Sequence, residues 1–260
     1  MKKLLFCLVY LSILAAGVSA QPDIELVLGN PSGATSNTNN SDNYLVVHPG
    51  FVLSYNRERG AANWVAWHLS RTDIGSVDRT EAFAPDISLP AAWRVTPNDY
   101  RNSGYDREHM CPSKDRSDTE ENNRETFLMS NMQPQTAGLN RQTWRFLEEY
   151  TREVVRGRKE AYIYTGCYGD KGRIRNKVTI PTNCFKIIVV LPEGGNDLSR
   201  VNRNTRVIAV DMPNEERLSR RWRTYLTTVD DIEEKTGFDF LSTVSEEIQS
   251  AIESRRDNQD

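Results

Sequence analysis

The sequence predicts an α+β protein, a mainly antiparallel central sheet flanked by helices. Three observations carry this. Runs rich in β-branched and aromatic residues, bounded by turn formers, recur along the chain. The connections between neighbouring runs are mostly too short to hold a crossover helix, which favours hairpins. Apolar residues at helical spacing are confined to a few segments, Asn140 to Gly157 foremost, where Trp144, Leu147, Thr151 and Val154 recur three to four residues apart.

In chain order, Met1-Lys2-Lys3 gives a positive start, Leu4 to Ala16 an apolar run too short to span a bilayer, and Val18-Ser19-Ala20 a small-residue cleavage motif. Residues 1–20 are therefore expected to leave as a signal peptide, with no membrane contact afterwards and a secreted or periplasmic mature chain. The remaining 240 residues, 21–260, suit a single domain able to bury its own core. Ser32 to Asn43, rich in Ser, Thr, Asn and Gly, reads as a surface loop. Strands are expected over Val52 to Tyr55, Trp64 to Leu69, Thr126 to Met132, Ala161 to Gly166, Cys184 to Leu191 and Arg206 to Met212. Helices are expected over Asn140 to Gly157, Ser219 to Leu226 and Val244 to Ser254, the last opened by a Thr243/Glu246 capping box. Arg255 to Asp260 reads as a frayed end.

Cys7 would leave with the signal, so Cys111, Cys167 and Cys184 are the mature cysteines. Cys167 ends one expected strand and Cys184 opens the next, which makes them either a disulfide in an oxidising compartment or two buried thiols, with Cys111 free. The formal net charge is −3, and loss of Lys2 and Lys3 takes it to −5, so bulk charge does not draw the chain to nucleic acid. Arg141 to Lys177, however, holds ten Lys plus Arg against five acids. That excess is either a solvated face or a phosphate-tracking groove.

The run Tyr105-Asp106-Arg107-Glu108-His109-Met110-Cys111-Pro112-Ser113 places a carboxylate, a guanidinium and an imidazole within four positions of a chain with three histidines. An imidazole titrating near pH 6.5 can take a proton from water, and an Arg can hold phosphate oxygens, so these groups suit phosphodiester hydrolysis. They also suit a partly buried His beside an ion pair. A second cluster runs from Asn131-Met132-Gln133-Pro134-Gln135 through Asn140, and the helix opening there carries Asn140, Glu148 and Arg152 on neighbouring flanks. Asn140 is either a helix cap or a hard, neutral metal ligand. Glu148 is either a holder of the ion's waters or half of a surface i,i+4 pair with Arg152. His48 and His68 read as a surface and a sheet histidine, and the tryptophans as core. No G-x-S-x-G, H-E-x-x-H or Walker loop is present.

Together, and in this order, these segments resemble the DNA/RNA non-specific endonucleases. With them go Leu28 to Gly33, Asn63 to Trp67, Leu89-Pro90 leading to Arg94, Phe127 to Gln135, and in the bacterial members Asn204 to Val210 and Thr236 to Ser242. The resemblance implies a ββα-metal (His-Me finger) site and metal-dependent hydrolysis of single- and double-stranded DNA and RNA to 5′-phosphorylated products. It implies His109 as general base, Asn140 as the direct ligand of Mg2+, with Mn2+ substituting, and Glu148 acting through water. It also implies Arg94, Arg107 and Arg152 as substrate-binding charge clamps, and Asp106 as a structural anchor of the loop. An exported nuclease made in its own cytoplasm would benefit from a protein inhibitor. The oligomeric state is not legible.

One position departs from the family tetrapeptide Asp-Arg-Gly-His: Glu108 stands at the glycine. The favoured reading has its side chain pointing away from the site. Pointing inward, it would repel phosphate and favour the imidazolium, and the chain would read as a catalytically silent nucleic-acid-binding relative.

Overall fold

The β-rich runs assemble into one seven-stranded antiparallel sheet and two short hairpins in the computed structural model, which describes residues 24–259. The expected signal peptide lies outside the described residues. In chain order the strands are β1 (Tyr44–His48), β2 (Phe51–Asn56), β3 (Ala61–Leu69), β4 (Asp106–His109), β5 (Met132–Gln135), β6 (Lys159–Tyr168), β7 (Arg173–Ile174), β8 (Val178–Thr179), β9 (Asn183–Pro192), β10 (Arg206–Pro213) and β11 (Leu226–Thr227). The large sheet runs β1-β2-β3-β6-β9-β10-β11, while β4 pairs with β5 and β7 with β8. The helices are α1 (Glu120–Glu125), α2 (Arg145–Arg156), α3 (Asp197–Arg200), α4 (Val229–Thr236) and α5 (Glu246–Glu253). Among the described residues, no helix is long and apolar enough to cross a membrane.

The central strands are apolar on both faces because each face carries its own core. Alternate side chains of β3, β6 and β9 divide between them. Trp67, Ile163 and Ile188 face one side, where Met110, Leu139, Trp144 and Leu147 from the β4–β5 hairpin and α2 cover them. Trp64, Tyr162, Tyr164 and Val189 face the other, covered by Leu28, Val229, Ile232, Phe240 and Ile252. The tryptophans thus serve as core, Trp93 only partly buried. Cys167 and Cys184 are register partners on β6 and β9 and form a disulfide, leaving Cys111 as a buried free thiol.

Several expectations are corrected. Thr126 to Met132 is not a strand, since β4 offers it a partner only from Met132, opposite His109. Before that point the chain turns, and Asn131 staples the excursion by bonding Cys111 N and O and Thr126 O. The expected helix over Ser219 to Leu226 is one 3₁₀ turn, Trp222–Tyr225, because Leu226 is recruited to the sheet edge opposite Val210. Thr243 does not cap α5; its Oγ1 donates to Val27 O at 2.7 Å, tying the two ends of the chain. As far as Gln259 the end is not frayed either, for Arg206 holds Asp257 bidentately at 2.9 and 2.7 Å. His48 is buried rather than on the surface, between Asp86 at 3.1 Å and Glu125 at 3.0 Å. Against the penalty of burial, hydrogen bonds from His48, Ser130 and Ser88 hold the Asp86 carboxyl down at about 2.

Candidate active site

The hairpin and α2 meet over the first core. Gln133 Nε2 donates to Ala62 O at 2.7 Å, fixing β5 to β3. The expected helix begins with a widened π-type turn, Leu139–Trp144, before α2 proper. Such turns interrupt regular helices frequently at functional positions, and this one carries Asn140. Gly138 sets its start: a Cβ there would lie 1.9 Å from Glu216 O, so only glycine lets the two backbones approach.

Asp106 is the anchor. Its Oδ2 accepts from Asn140 Nδ2 at 3.1 Å and Arg141 Nε at 2.8 Å, and its Oδ1 from Arg141 Nη2 at 2.7 Å. With Nδ2 so engaged, Asn140 Oδ1 takes no hydrogen bond among the described residues. Asn140 lines a single cavity with Arg107, Glu108, His109, Glu148 and Arg152. That donor set fits a hard divalent ion held by one neutral amide oxygen and a nearby carboxylate.

His109 is buried in an aromatic box. Its ring meets Phe127 edge-on at 4.6 Å and 84°, and Phe83 at 5.7 Å. The Arg107 guanidinium lies 3.8 Å over Phe83, and that of Arg79 5.0 Å from the Phe127 centroid. Burial first, and then the charges of Arg79 and Arg107, lower the His109 pKa well below the ordinary imidazole value. Its Nε2 is buried with no hydrogen-bond partner among the described residues. The ring is neutral at neutral pH.

Across the cavity, Glu148 Oε1 accepts from Lys186 Nζ at 3.3 Å. Lys186 comes from β9 through the sheet face, under the rings of Trp144 at 4.5 Å and Trp67 at 5.5 Å. Burial raises the Glu148 pKa, opposed by Lys186 and Arg152. Arg152 is committed to Asp115 at 2.8 Å, itself bonded to Trp67 Nε1 at 3.1 Å. Arg94 is not among the residues lining the cavity; its guanidinium donates to Leu89 O at 2.7 Å and Ile87 O at 2.9 Å.

Glu108 overturns the outward reading. It is 6 % exposed, lines the cavity, and occupies an extended strand position opposite Gln133 that needs none of glycine's conformational freedom. Strand alternation turns it away from its neighbours Arg107 and His109, but all three still line the one cavity. Burial first raises the Glu108 pKa well above the ordinary carboxylate value, and Glu148, Lys186, Arg79 and Asp106 act on it after that, so Arg79 is shared with His109. Glu108 itself is not among the charges that act on the imidazole.

The profile of the DNA/RNA non-specific endonucleases matches residues 28–247. The chain belongs to this family. A nuclease of Nostoc sp. is 50 % identical over 243 residues, 93 % of this chain and 89 % of the relative. Human mitochondrial endonuclease G is 29 % identical over 209 residues, 75 % of this chain and 68 % of that one. A chain from the crystal structure of the EndoG/EndoGI complex superposes with a TM-score of 0.71 at 26 % identity, covering 85 % of this chain and 91 % of the other. As a non-specific endonuclease with the ββα-metal fold, the protein is a nucleic-acid hydrolase of a metal-dependent family.

Three residues at the site escaped the motif-based reading: Arg79 in the cavity lining, Phe83 against His109, and Lys186 against Glu148. Lys186 had a signal, as a lone lysine within the apolar run Cys184 to Leu191.

Proposed function

We propose that this chain is a secreted or periplasmic endonuclease that hydrolyses phosphodiester bonds in DNA and RNA, single- and double-stranded, to 5′-phosphorylated products with Mg2+, for which Mn2+ substitutes. The observation that carries this is a buried, neutral His109 sharing one cavity with the free amide oxygen of Asn140. His109 takes the proton of the attacking water, which a neutral imidazole can do and an imidazolium cannot. Arg107 and Arg79 meet the negative charge that builds on the phosphate, whereas Arg94, bonded to Leu89 O and Ile87 O and absent from the cavity lining, is not placed to do so. Arg152 acts by holding its wall of the site through Asp115. Asn140 would hold the ion directly and Glu148 its water shell, with Asp106 keeping the amide turned. When bound, the ion supplies positive charge to the phosphodiester and its leaving oxygen.

Breadth of substrate follows from what these groups address, the phosphate that every nucleic acid shares. Export is supported by the amino-terminal pattern of residues 1–20 and by the Cys167–Cys184 disulfide, which persists in oxidising compartments. An inhibitor protein is a fitting partner, as the EndoG/EndoGI complex is for its own chain. The test is incubation of purified protein with plasmid DNA and with RNA, with Mg2+, with Mn2+ and after chelation. Cleavage of both polymers that stops on chelation and fails in Asn140→Ala is expected. Full-rate cutting after chelation would end the metal reading.

A further inference from the structure

The active-site cavity does not end at Arg107. That side chain also lines a second hollow, of about 460 Å³ against about 300 Å³ for the catalytic cavity, together with Arg101, Asn102 and Tyr105. Arg101 and Asn102 in turn line a third, of about 330 Å³, which reaches the β7–β8 hairpin at Arg173 and Arg175. Shared walls thus join the three into one cleft from His109 past β4 to the hairpin.

Beyond the catalytic cavity the cleft is basic. Arg107, Arg101, Arg173 and Arg175 follow one another along it, and the acid on these two linings, Asp106, is already held by Asn140 and Arg141. Arg173 is bonded to Glu58. Arg101 and Arg175 are exposed and form no ion pair among the described residues; the Arg175 guanidinium donates to Arg101 O at 3.3 Å, and that of Arg101 has no hydrogen bond. The hairpin carries Arg175 at a cost. Lys177 N donates to Ile174 O at 2.9 Å across a turn whose central residues, Arg175 and Asn176, are both left-handed, with φ 49° and 55°. Asn, Asp and Gly suit such a turn, whereas another residue there costs about 1–3 kcal/mol. The turn position that the backbone would give to asparagine or glycine puts a guanidinium on the cleft wall instead.

We propose that this cleft is the track of a nucleic-acid strand beyond the scissile phosphate. Arg101 and Arg175 take backbone phosphates that follow the one at Arg107, and Tyr105 offers a half-buried ring to a base. The inference rests on the reading of the cavity as a site of phosphodiester hydrolysis. Unpaired guanidinium groups along a groove match a repeating anion, and they hold phosphates without reading sequence.

The test is fluorescence anisotropy of a labelled oligothymidylate over a salt series, with chelator and on the His109→Ala background so that the strand stays intact. Arg101→Gln, Arg175→Asn and the double variant are compared with that background, and melting is followed for each. Asparagine suits the left-handed turn better than arginine, so Arg175→Asn does not weaken the hairpin. Each lost contact is expected to weaken binding and to flatten the slope of log affinity against log salt by about 0.7, the value per phosphate of a single strand. With His109 in place, the preference in kcat/KM for the oligothymidylate over a dinucleotide, whose one phosphodiester does not reach the cleft, should fall in the double variant. Unchanged slope and length preference in a folded double variant would overturn the cleft. Arginine-dependent binding with no cutting by wild type would leave the cleft standing and remove the reading on which it rests.

Discussion

His109 is neutral because burial and two guanidinium groups oppose its charge, and both causes can be read in solution. Below its lowered pKa it gains a proton, so the acid limb of the pH–rate profile should lie below about 6.5, the reference imidazole value. The same shift is a stability term: the folded state binds the proton more weakly than the unfolded chain, so stability is full above about pH 6.5 and declines as pH falls. Arg79→Ala removes one opposing charge and should move the acid limb upward, whereas Glu108→Gly should leave it in place. The limb is to be followed by kcat against pH and the His109 ring by NMR titration; an unmoved or downward limb in Arg79→Ala would remove Arg79 from the field at the base. His109→Ala should lose about 100- to 10,000-fold in rate with DNA binding retained, and a variant keeping more than a tenth of the rate would exclude His109 as base. Asp106, Arg107, His109, Asn140 and Glu148 were legible because their spacing is local to two motifs. Arg79, Phe83 and Lys186 were not, because only the tertiary fold brings a loop and the sheet floor under those motifs.

Among the elements, the helix carrying Asn140 and Glu148 was legible from its apolar stripe, but its opening turn was not. Periodicity registers which residues face the core, whereas the widening at Leu139–Trp144 follows from the packing of Gly138 on Glu216. Gly138→Ala should therefore cost about 1–3 kcal/mol through overpacking and raise the Mg2+ needed for half-maximal activity. Unchanged melting and metal dependence would show that the contact relaxes freely. Helix α4 was overlooked although Thr228 and Asp231 form a capping box at its start, Asp at the third position being a weaker signal than Glu or Gln. Where α4 meets α5, burial, followed by Glu233 and Asp230, pushes Glu253 up to about 8 from 4.5. An acid with a raised folded pKa loses its contribution as pH rises, here between about 4.5 and 8. Glu253→Gln should accordingly raise Tm by a few degrees above pH 8 and little at pH 4, as thermal melts at the two pH values will show. A gain at pH 4 equal to that at pH 8 would contradict the electrostatic cause.

At the scale of the molecule, the antiparallel sheet was legible from strand composition and short connections, since these depend only on neighbours in sequence. Its order, with β6 and β9 at the centre, depends on pairings across long separations and was not. Nor was the division of the basic excess: Arg145 and Arg152 line the cavity and Arg141 is paired to Asp106, while Arg173 and Lys177 are paired elsewhere, to Glu58 and Asp99. The disulfide joins the two central strands over a separation of 17 residues. Closing a loop of that size is worth about 3 kcal/mol, or roughly 6–12 °C in Tm for a chain of this size. Reduction should lower Tm by that amount, and an unchanged melt under reductant, with thiol titration proving the bond open, would show that strand pairing alone holds the pair.

Lys186 gives the enzyme a native optical signal. Its ammonium lies under the indoles of Trp144 and Trp67 and against the carboxylate of Glu148. Indole emission shifts with the local electric field, so an ion arriving beside that carboxylate changes the field at two fluorophores already in place. Titrating Mg2+ while recording tryptophan emission would report occupancy in real time, without label or substrate, and Asn140→Ala, which loses the ion's direct ligand, would silence the response while keeping both rings.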